Sequence, residues 1–341
     1  MTPPIPGVDL ASRVVGGSVV AASDESFGFK ERLVVPAEPA FVPGTYDLRG
    51  EVVDGWETRR HAGTGGDWAI VRLGAPGRLR TVDVDTRSFS GNHPQACRVD
   101  AAVLDPGADA TDPSVKWTTV VQTTVLKPDS NNLMTVTDSR RWTHVRLSLT
   151  TDGGVARLRA YGDVIPDPAL WSGVTVEVSG LEQGGCVEWC SDAFYSDARA
   201  LVAPDRPRHM GDGWETRRRR DIGPDTHDAV IISFAVPTDV KRIEIDTSYF
   251  VFNASQEVAV LGAHVRPSVE QGWPAVPFDT PVLGRRHLAA DARQVFVVDA
   301  RAVTAIRVNA YPDGGIARVR ALGTPTDEGL QQLRDLWEEC S

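Results

Sequence analysis

The chain has 341 residues, with 46 acidic and 36 basic side chains and a formal net charge of −10. That balance argues against a general nucleic-acid binder, which needs a basic face, and no stretch approaches the roughly 20 apolar residues of a membrane-spanning helix. At 41% hydrophobic and 24% charged the composition is that of a folded protein, and the length suits two domains of roughly 150–170 residues.

The N-terminal stretch carries Asp9 and Arg13 but neither a basic start nor a long apolar run, so it does not read as a signal peptide. The cysteines, Cys97, Cys186, Cys190 and Cys340, form no CxxC and no metal-ligand spacing, and a reducing, cytoplasmic setting is expected. Residues 1–50 read as an irregular lead-in with one strand at Arg32–Val35. Pro36, Pro39, Pro43 and Gly44 then mark a loop.

That loop leads to Asp54-Gly55-Trp56-Glu57-Thr58-Arg59-Arg60. After it come runs of period-two alternation: Trp68–Leu73, Leu79–Thr86, Arg98–Leu104, Trp117–Leu126, Thr143–Leu149 and Val155–Tyr161. Val, Thr and Ile dominate them and turn residues separate them, which predicts an all-β, antiparallel sandwich or barrel. Asp152-Gly153-Gly154 reads as a hairpin turn, since glycine supplies positive φ. The Pro- and Gly-rich stretch Val164–Gly185 reads as a bridge. The expected organisation is therefore a first β-sandwich over 1–165, a linker over 166–185, a second sandwich over 186–325 and a tail over 326–341.

The second half retraces the first. The seven-residue signature returns unchanged as Asp212-Gly213-Trp214-Glu215-Thr216-Arg217-Arg218. Alternating runs follow at Ala229–Val236, Val240–Thr247, Glu257–Val265, Gln294–Val298, Thr304–Ala310 and Ile316–Leu322. The offset between halves is 158 residues at Asp54 and 161 at Asp85 and Asp152, so three residues are inserted after Arg218. Leu330, Leu333, Leu336 and Trp337 give the tail the spacing of an amphipathic helix.

A single Trp is all the apolar content of the signature, so core packing does not account for its fixed order of charges. Paired Arg beside paired carboxylates suits a small anionic, urea-like ligand; the alternative is a duplicated turn held by an internal Arg–carboxylate network. Each half continues with Asp67 or Asp228, then Asp85-Thr86 or Asp246-Thr247, then Asn92 or Asn253. Thr86 and Thr247 read as turn caps, Phe89 and Phe250 as core. The halves diverge at Gly66-Asp67-Trp68 against His227-Asp228-Ala229, and at Arg59-Arg60-His61 against Arg217–Arg220. His227, beside Asp228, is the acid–base candidate, against the reading of a solvated loop histidine. No G-x-S-x-G, Walker loop, G-x-G-x-x-G after a strand or H-E-x-x-H occurs.

The stretches DGWETRR, GGDWAIVRLG, VDVDTRSFSGN and DGGVARLRAYG, echoed by GDGWETRRRR, EIDTSYFVFN and YPDGGIARVRALG, resemble the allantoicase family over roughly Ser23–Gly323. The resemblance implies two tandem jelly-roll β-sandwich repeats of the galactose-binding-like kind and a homo-oligomer. It also implies hydrolysis of allantoate to ureidoglycolate and urea in purine (allantoin) degradation. The family's usual Arg-Leu-Gly is replaced by Ser233-Phe234-Ala235, and the Gly before Asn253 by Phe252. Carried over, Arg59, Arg60, Arg217 and Arg218 would clamp the substrate carboxylate, with Asp54, Asp212, Asp67, Asn92 and Asn253 completing the binding set. Glu57, Glu215, His227 and Asp228 are the catalytic candidates. A divalent metal polarising the ureido group is compatible with this chemistry, although no spacing announces its ligands. The alternatives are a non-catalytic small-ligand or carbohydrate-binding jelly roll and a related ureido or guanidino hydrolase.

Overall fold

The computed structural model describes residues 7–61, 66–221, 223–267 and 272–341. The chain divides into two compact units, Met1–Ile165 with Glu339–Ser341, and Pro166–Glu338. Both are antiparallel β structures, as the alternating runs require.

In the first unit, apart from a short pair of Tyr46–Asp47 on Gly50–Glu51, the strands are β1 (Val8–Asp9), β2 (Ser18–Ala22), β3 (Trp56–Glu57), β4 (Trp68–Asp85), β5 (Ala96–Ala102), β6 (Thr118–Val125), β7 (Leu133–Thr135), β8 (Arg141–Leu149), β9 (Gly154–Val155) and β10 (Arg157–Val164). Strand β4 runs through the whole unit. Its first part pairs with β2 and β8, from which β5 and β6 continue the sheet. Its last part pairs with β10 and β7, and β1 lies on β10. One strand thus serves two layers, which close over Val71, Val82, Val84, Leu147 and Leu158.

The second unit repeats the plan with β11 (Val176–Glu177), β12 (Cys186–Cys190), β13 (Trp214–Glu215), β14 (Asp228–Asp246), β15 (Glu257–Ala263), β16 (Thr280–His287), β17 (Arg293–Tyr311), β18 (Gly315–Ile316) and β19 (Arg318–Pro325). The main path is β11-β19-β14-β17-β15-β16, with β12 on the first part of β14. Residues 166–185, read from the sequence as a bridge, include β11, which pairs with β19 and clusters with this unit. The C-terminal helix forms over Asp327–Glu339, and its Leu333 lies fully buried in the second unit's core.

Several expectations are corrected. The expected strand Arg32–Val35 is instead the end of a 3-10 helix over Lys30–Val34, closed by the Val35 N–H donating to the Arg32 carbonyl, with Leu33 and Val34 buried. The runs Trp68–Leu73 and Leu79–Thr86 are one strand. Gly74 and Gly77 there allow close backbone approach; a Cβ would stand 2.1 Å from the Val15 carbonyl oxygen or 2.6 Å from that of Asp163. Likewise Gln294–Val298 and Thr304–Ala310 fuse into β17. Strand β16, hidden by Pro281 and Gly284, pairs on one side only, where proline is tolerated.

Asp152-Gly153-Gly154 is not a hairpin turn. The flanking strands β8 and β10 pair with different parts of β4 instead of with each other. Its glycines answer to contact: a Cβ on Gly154 would lie 2.0 Å from the Phe89 ring, and one on Gly315 would lie 1.9 Å from the Asn253 carbonyl oxygen.

The four cysteines are not joined in disulfides, and among the described residues no helix is long and apolar enough to cross a membrane. Gly315→Ala is expected to cost about 1–3 kcal/mol, because the obstruction is backbone. Gly284→Ala, with its nearest neighbour at 3.8 Å, should stay within about 0.5 kcal/mol. Urea-denaturation midpoints of the two variants check the contrast.

Candidate functional site

The signature's conformation follows from strand period. Trp56 and Thr58 point inward, 0% and 3% exposed, so Glu57 and Arg59 face away from the core. The Trp56 indole donates to the Asp24 carbonyl at 2.7 Å, and Trp214 to that of Asp192 at 2.8 Å. Strand β3 pairs with β9 and β13 with β18, so each signature lies against the Asp-Gly-Gly segment of its own unit. The hydroxyls of Thr58 and Thr216 fix that contact by accepting from Gly153 N–H at 3.1 Å and Gly314 N–H at 2.7 Å.

Behind the signature lies a buried guanidinium. Arg157 donates to the carbonyls of Asp54 and Ala37, both at 2.9 Å, and to the Asp54 carboxylate at 2.8 Å. Arg32 and the Ala40 N–H also bind Asp54, whose carboxyl burial would raise but these donors hold below its ordinary range. In the second unit Arg318 reaches the Asp212 carbonyl at 2.6 Å, yet its carboxylate partner is Asp205 at 2.7 Å. Asp212 itself accepts from Arg208. Asp54 and Asp212 thus face protein donors. The same is true of Asp85, which takes Arg87.

Thr86 and Thr247 close turns through the carbonyls of Lys127 and Ala289, and Phe89 and Phe250 are buried.

Another set stays open. The Asn92 amide donates to Glu57 Oε1 at 2.7 Å, and Asn253 donates to Glu215 Oε1 at the same distance. Gly154 N–H in turn holds the Asn92 carbonyl at 2.8 Å and so sets the Asn92–Glu57 pair, whereas Gly315 N–H donates to the Ser255 hydroxyl at 2.9 Å. Burial pushes the Glu57 carboxyl up from its ordinary range, the Asn92 amide acting in the other direction. Arg59 is tied to Asp24 through its backbone N–H at 2.8 Å and Nε at 2.7 Å. Arg217 stands over Phe194 and 3.7 Å from Asp192. Arg60 and Arg218 are exposed and make no hydrogen bond or ion pair among the described residues. Glu215, Arg218, Arg219, Arg220, Asn253 and Asp313 line a cleft of about 630 Å³ in the second unit.

The remaining candidates sit deeper or apart. Asp67 and Asp228 are each 2% exposed and accept from Ser23 and Ser191 hydroxyls. Asp228 also takes Arg219 at 2.8 Å. His227 does not line the cleft. Its Nδ1 meets the Asp225 carbonyl at 2.7 Å and so must carry the proton, leaving Nε2 to accept from Arg307 Nη2 at 3.3 Å.

The site has members that motif reading passed over. Asp24 and Asp192, which hold Arg59 and Arg217, were signalled only by the echo of Ser23-Asp24-Glu25-Ser26-Phe27 in Ser191-Asp192-Ala193-Phe194. His61 is another: its Nε2 lies 2.8 Å from Asp67 Oδ2, and that bond raises its pKa above the ordinary histidine value. Among the described residues no group of three or more His, Cys, Asp or Glu forms a metal-binding cluster.

A family model described as the allantoicase repeat matches residues 8–165 and 176–326, the two units in turn. The chain belongs to the allantoicase family. It is 42% identical over 318 residues to a probable allantoicase of Nocardia farcinica, covering 92% of this chain and 93% of that one. A probable allantoicase of Streptomyces coelicolor is 40% identical over 340 residues, covering 95% and 87%. The crystal structure of allantoicase from Saccharomyces cerevisiae superposes with a TM-score of 0.76 at 28% identity, covering 93% of both chains. The fold is therefore the repeated β-sandwich of the allantoicases, and both signatures fall inside the matched repeats.

The Asp24 carboxyl gives a pH test of the Arg59 tether. Burial would raise its pKa, but N–H groups of Arg59 and Ser26 bring it down to about 2. A depressed folded-state pKa stabilises above the unfolded value near 3.8 and loses that contribution as pH falls towards 2. Asp24→Asn is thus expected to melt below the wild type at pH 5–8, with the gap closing towards pH 2. Thermal melts across that range measure it.

Proposed function

We propose that this chain hydrolyses allantoate to ureidoglycolate and urea, a step of allantoin degradation. The observation carrying the proposal is the doubled set of a Glu–Asn pair and, close by in sequence, an arginine with no hydrogen bond or ion pair among the described residues, in a chain of the allantoicase family. Allantoate is a carboxylate whose α carbon bears two ureido groups. Losing one as urea demands a proton on a poor nitrogen leaving group, electron release from the other ureido nitrogen, and water at the carbon.

The residues divide along those needs. Arg60 and Arg218 grip the carboxylate, since a guanidinium offers a two-pronged donor that never loses its charge. Arg59 and Arg217 are partly occupied by Asp24 and Asp192, which leaves the grip to their neighbours. Glu57 and Glu215, each steadied by its Asn, accept hydrogen bonds from ureido N–H groups when ionised and donate when protonated. Burial favours the protonated form of Glu57, which suits it to donate a hydrogen bond to a ureido carbonyl. Asp67 and Asp228 support the groups in front of them, and Asp54 and Asp212 hold the signature in shape. His227, engaged by Arg307, acts at most on the loop beside the cleft. Cysteines not joined in disulfides support a reducing, cytoplasmic setting, and the family likeness supports a homo-oligomer.

Purified protein incubated with allantoate is expected to release urea. Arg60→Ala and Arg218→Ala, made separately, should raise KM about 10- to 100-fold in whichever unit turns substrate over, the loss of a charge-assisted hydrogen bond. Unchanged kinetics in both would remove the clamp. Binding of allantoate without urea release would instead favour a non-catalytic ligand-binding module.

A further inference from the structure

The two units hold different groups at one matched position. In the second unit the Arg219 N–H donates to Asp313 Oδ2 at 2.9 Å, and its guanidinium reaches the buried Asp228 at 2.8 Å. In the first unit the His61 N–H donates to Asp152 Oδ2 at 2.6 Å, and its ring reaches the buried Asp67 at 2.8 Å. Backbone anchor and buried carboxylate are the same; only the head group differs. Arg219 lines the second unit's cleft beside Glu215, Arg218 and Asn253, so the repeat puts His61 beside Glu57, Arg60 and Asn92.

We propose that His61, oriented by Asp67, is the proton-transfer residue for hydrolysis, so that the first unit performs the chemistry while the matched arginine site of the second unit only binds the anion. This rests on the reading that allantoate is the substrate and that the Glu–Asn–Arg set grips it.

Asp67 is a positioning residue. Its Oδ1 takes the Ser23 hydroxyl at 2.7 Å, which leaves Oδ2 to hold Nε2–H and turn Nδ1 outward. No described residue bonds Nδ1. Asp67, Asp152 and Asp24 favour the imidazolium, while the neighbouring Arg60, matched to Arg218, acts against it and Glu57, when ionised, adds to them. The balance is complete without another reactant. The C–N bond to the departing urea breaks, its electron pair stays on nitrogen, and Nδ1–H protonates that nitrogen. Water then adds to the carbon, held as an iminium by the remaining ureido nitrogen, and returns a proton to Nδ1. Arg219 has no titratable proton near neutrality and performs neither step.

The test follows urea release by wild type, His61→Gln, His61→Ala and Asp67→Asn across pH, with thermal melts confirming that each is folded. Expected results are a fall in kcat of about 100-fold or more for His61→Gln, partial rescue of His61→Ala by added imidazole, and a wild-type rate that declines on the alkaline side. In Asp67→Asn that decline should move to lower pH. If wild type releases urea while His61→Gln keeps its kcat and its pH profile, the dyad is overturned and the substrate reading stands. If wild type releases no urea, both fall.

Discussion

Each unit is organised around a buried guanidinium that reads the backbone of the signature from behind. Arg157 and Arg318 are 1% and 2% exposed, and desolvating a cation costs several kcal/mol unless its N–H groups are satisfied. Each makes four hydrogen bonds: Arg157 to Asp54, Ala37 and Ala156, and Arg318 to Asp212, Asp205 and Ala317. Three of the four go to carbonyls that only a particular loop path can bring together. The loop before the signature, the signature itself and the start of β10 or β19 are thereby specified jointly. The carboxylate partner could drift from Asp54 to Asp205 between repeats because the carbonyl contacts carry the geometry.

With the signature pinned from behind, strand alternation decides what it offers in front. Trp and Thr face inward, Glu and the first Arg face out, and in the first unit the Asn–Glu pair is set by the Asn92 carbonyl resting on the Gly154 N–H. The glycines therefore matter for function through contact distance: they let two backbones meet where any side chain would hold them apart. A site residue such as Asn92 owes its position to Gly154, and so to Phe89, which fills the space a Cβ would need.

Duplication supplied two copies of this frame, and the copies have diverged in their head groups while keeping their anchors. A buried carboxylate supports a histidine in one unit and an arginine in the other. The first can exchange a proton near neutral pH and the second cannot. Histidine in the His227 position occurs only in the second unit, where an arginine and a carbonyl occupy both ring nitrogens.

Much of this was present in the chain as written. Alternation and turn residues specify the all-β class, the doubled signature specifies the repeat, and the leucine spacing of the tail specifies its helix, because all three depend on local periodicity. What the tertiary structure decided is everything that turns on distant partners. Gly74 and Gly77, which punctuate the sequence, mark close approach inside the continuous β4, and β14 and β17 likewise run on past the alternating stretches that announce them. Asp54, Asp212 and Asp85 look like site carboxylates by motif, yet they are consumed by Arg157, Arg208 and Arg87. His61 looks like a motif's trailing residue, yet it meets a buried aspartate. Charge and spacing state what a side chain can do; only the folded neighbours settle whether a partner has already taken it.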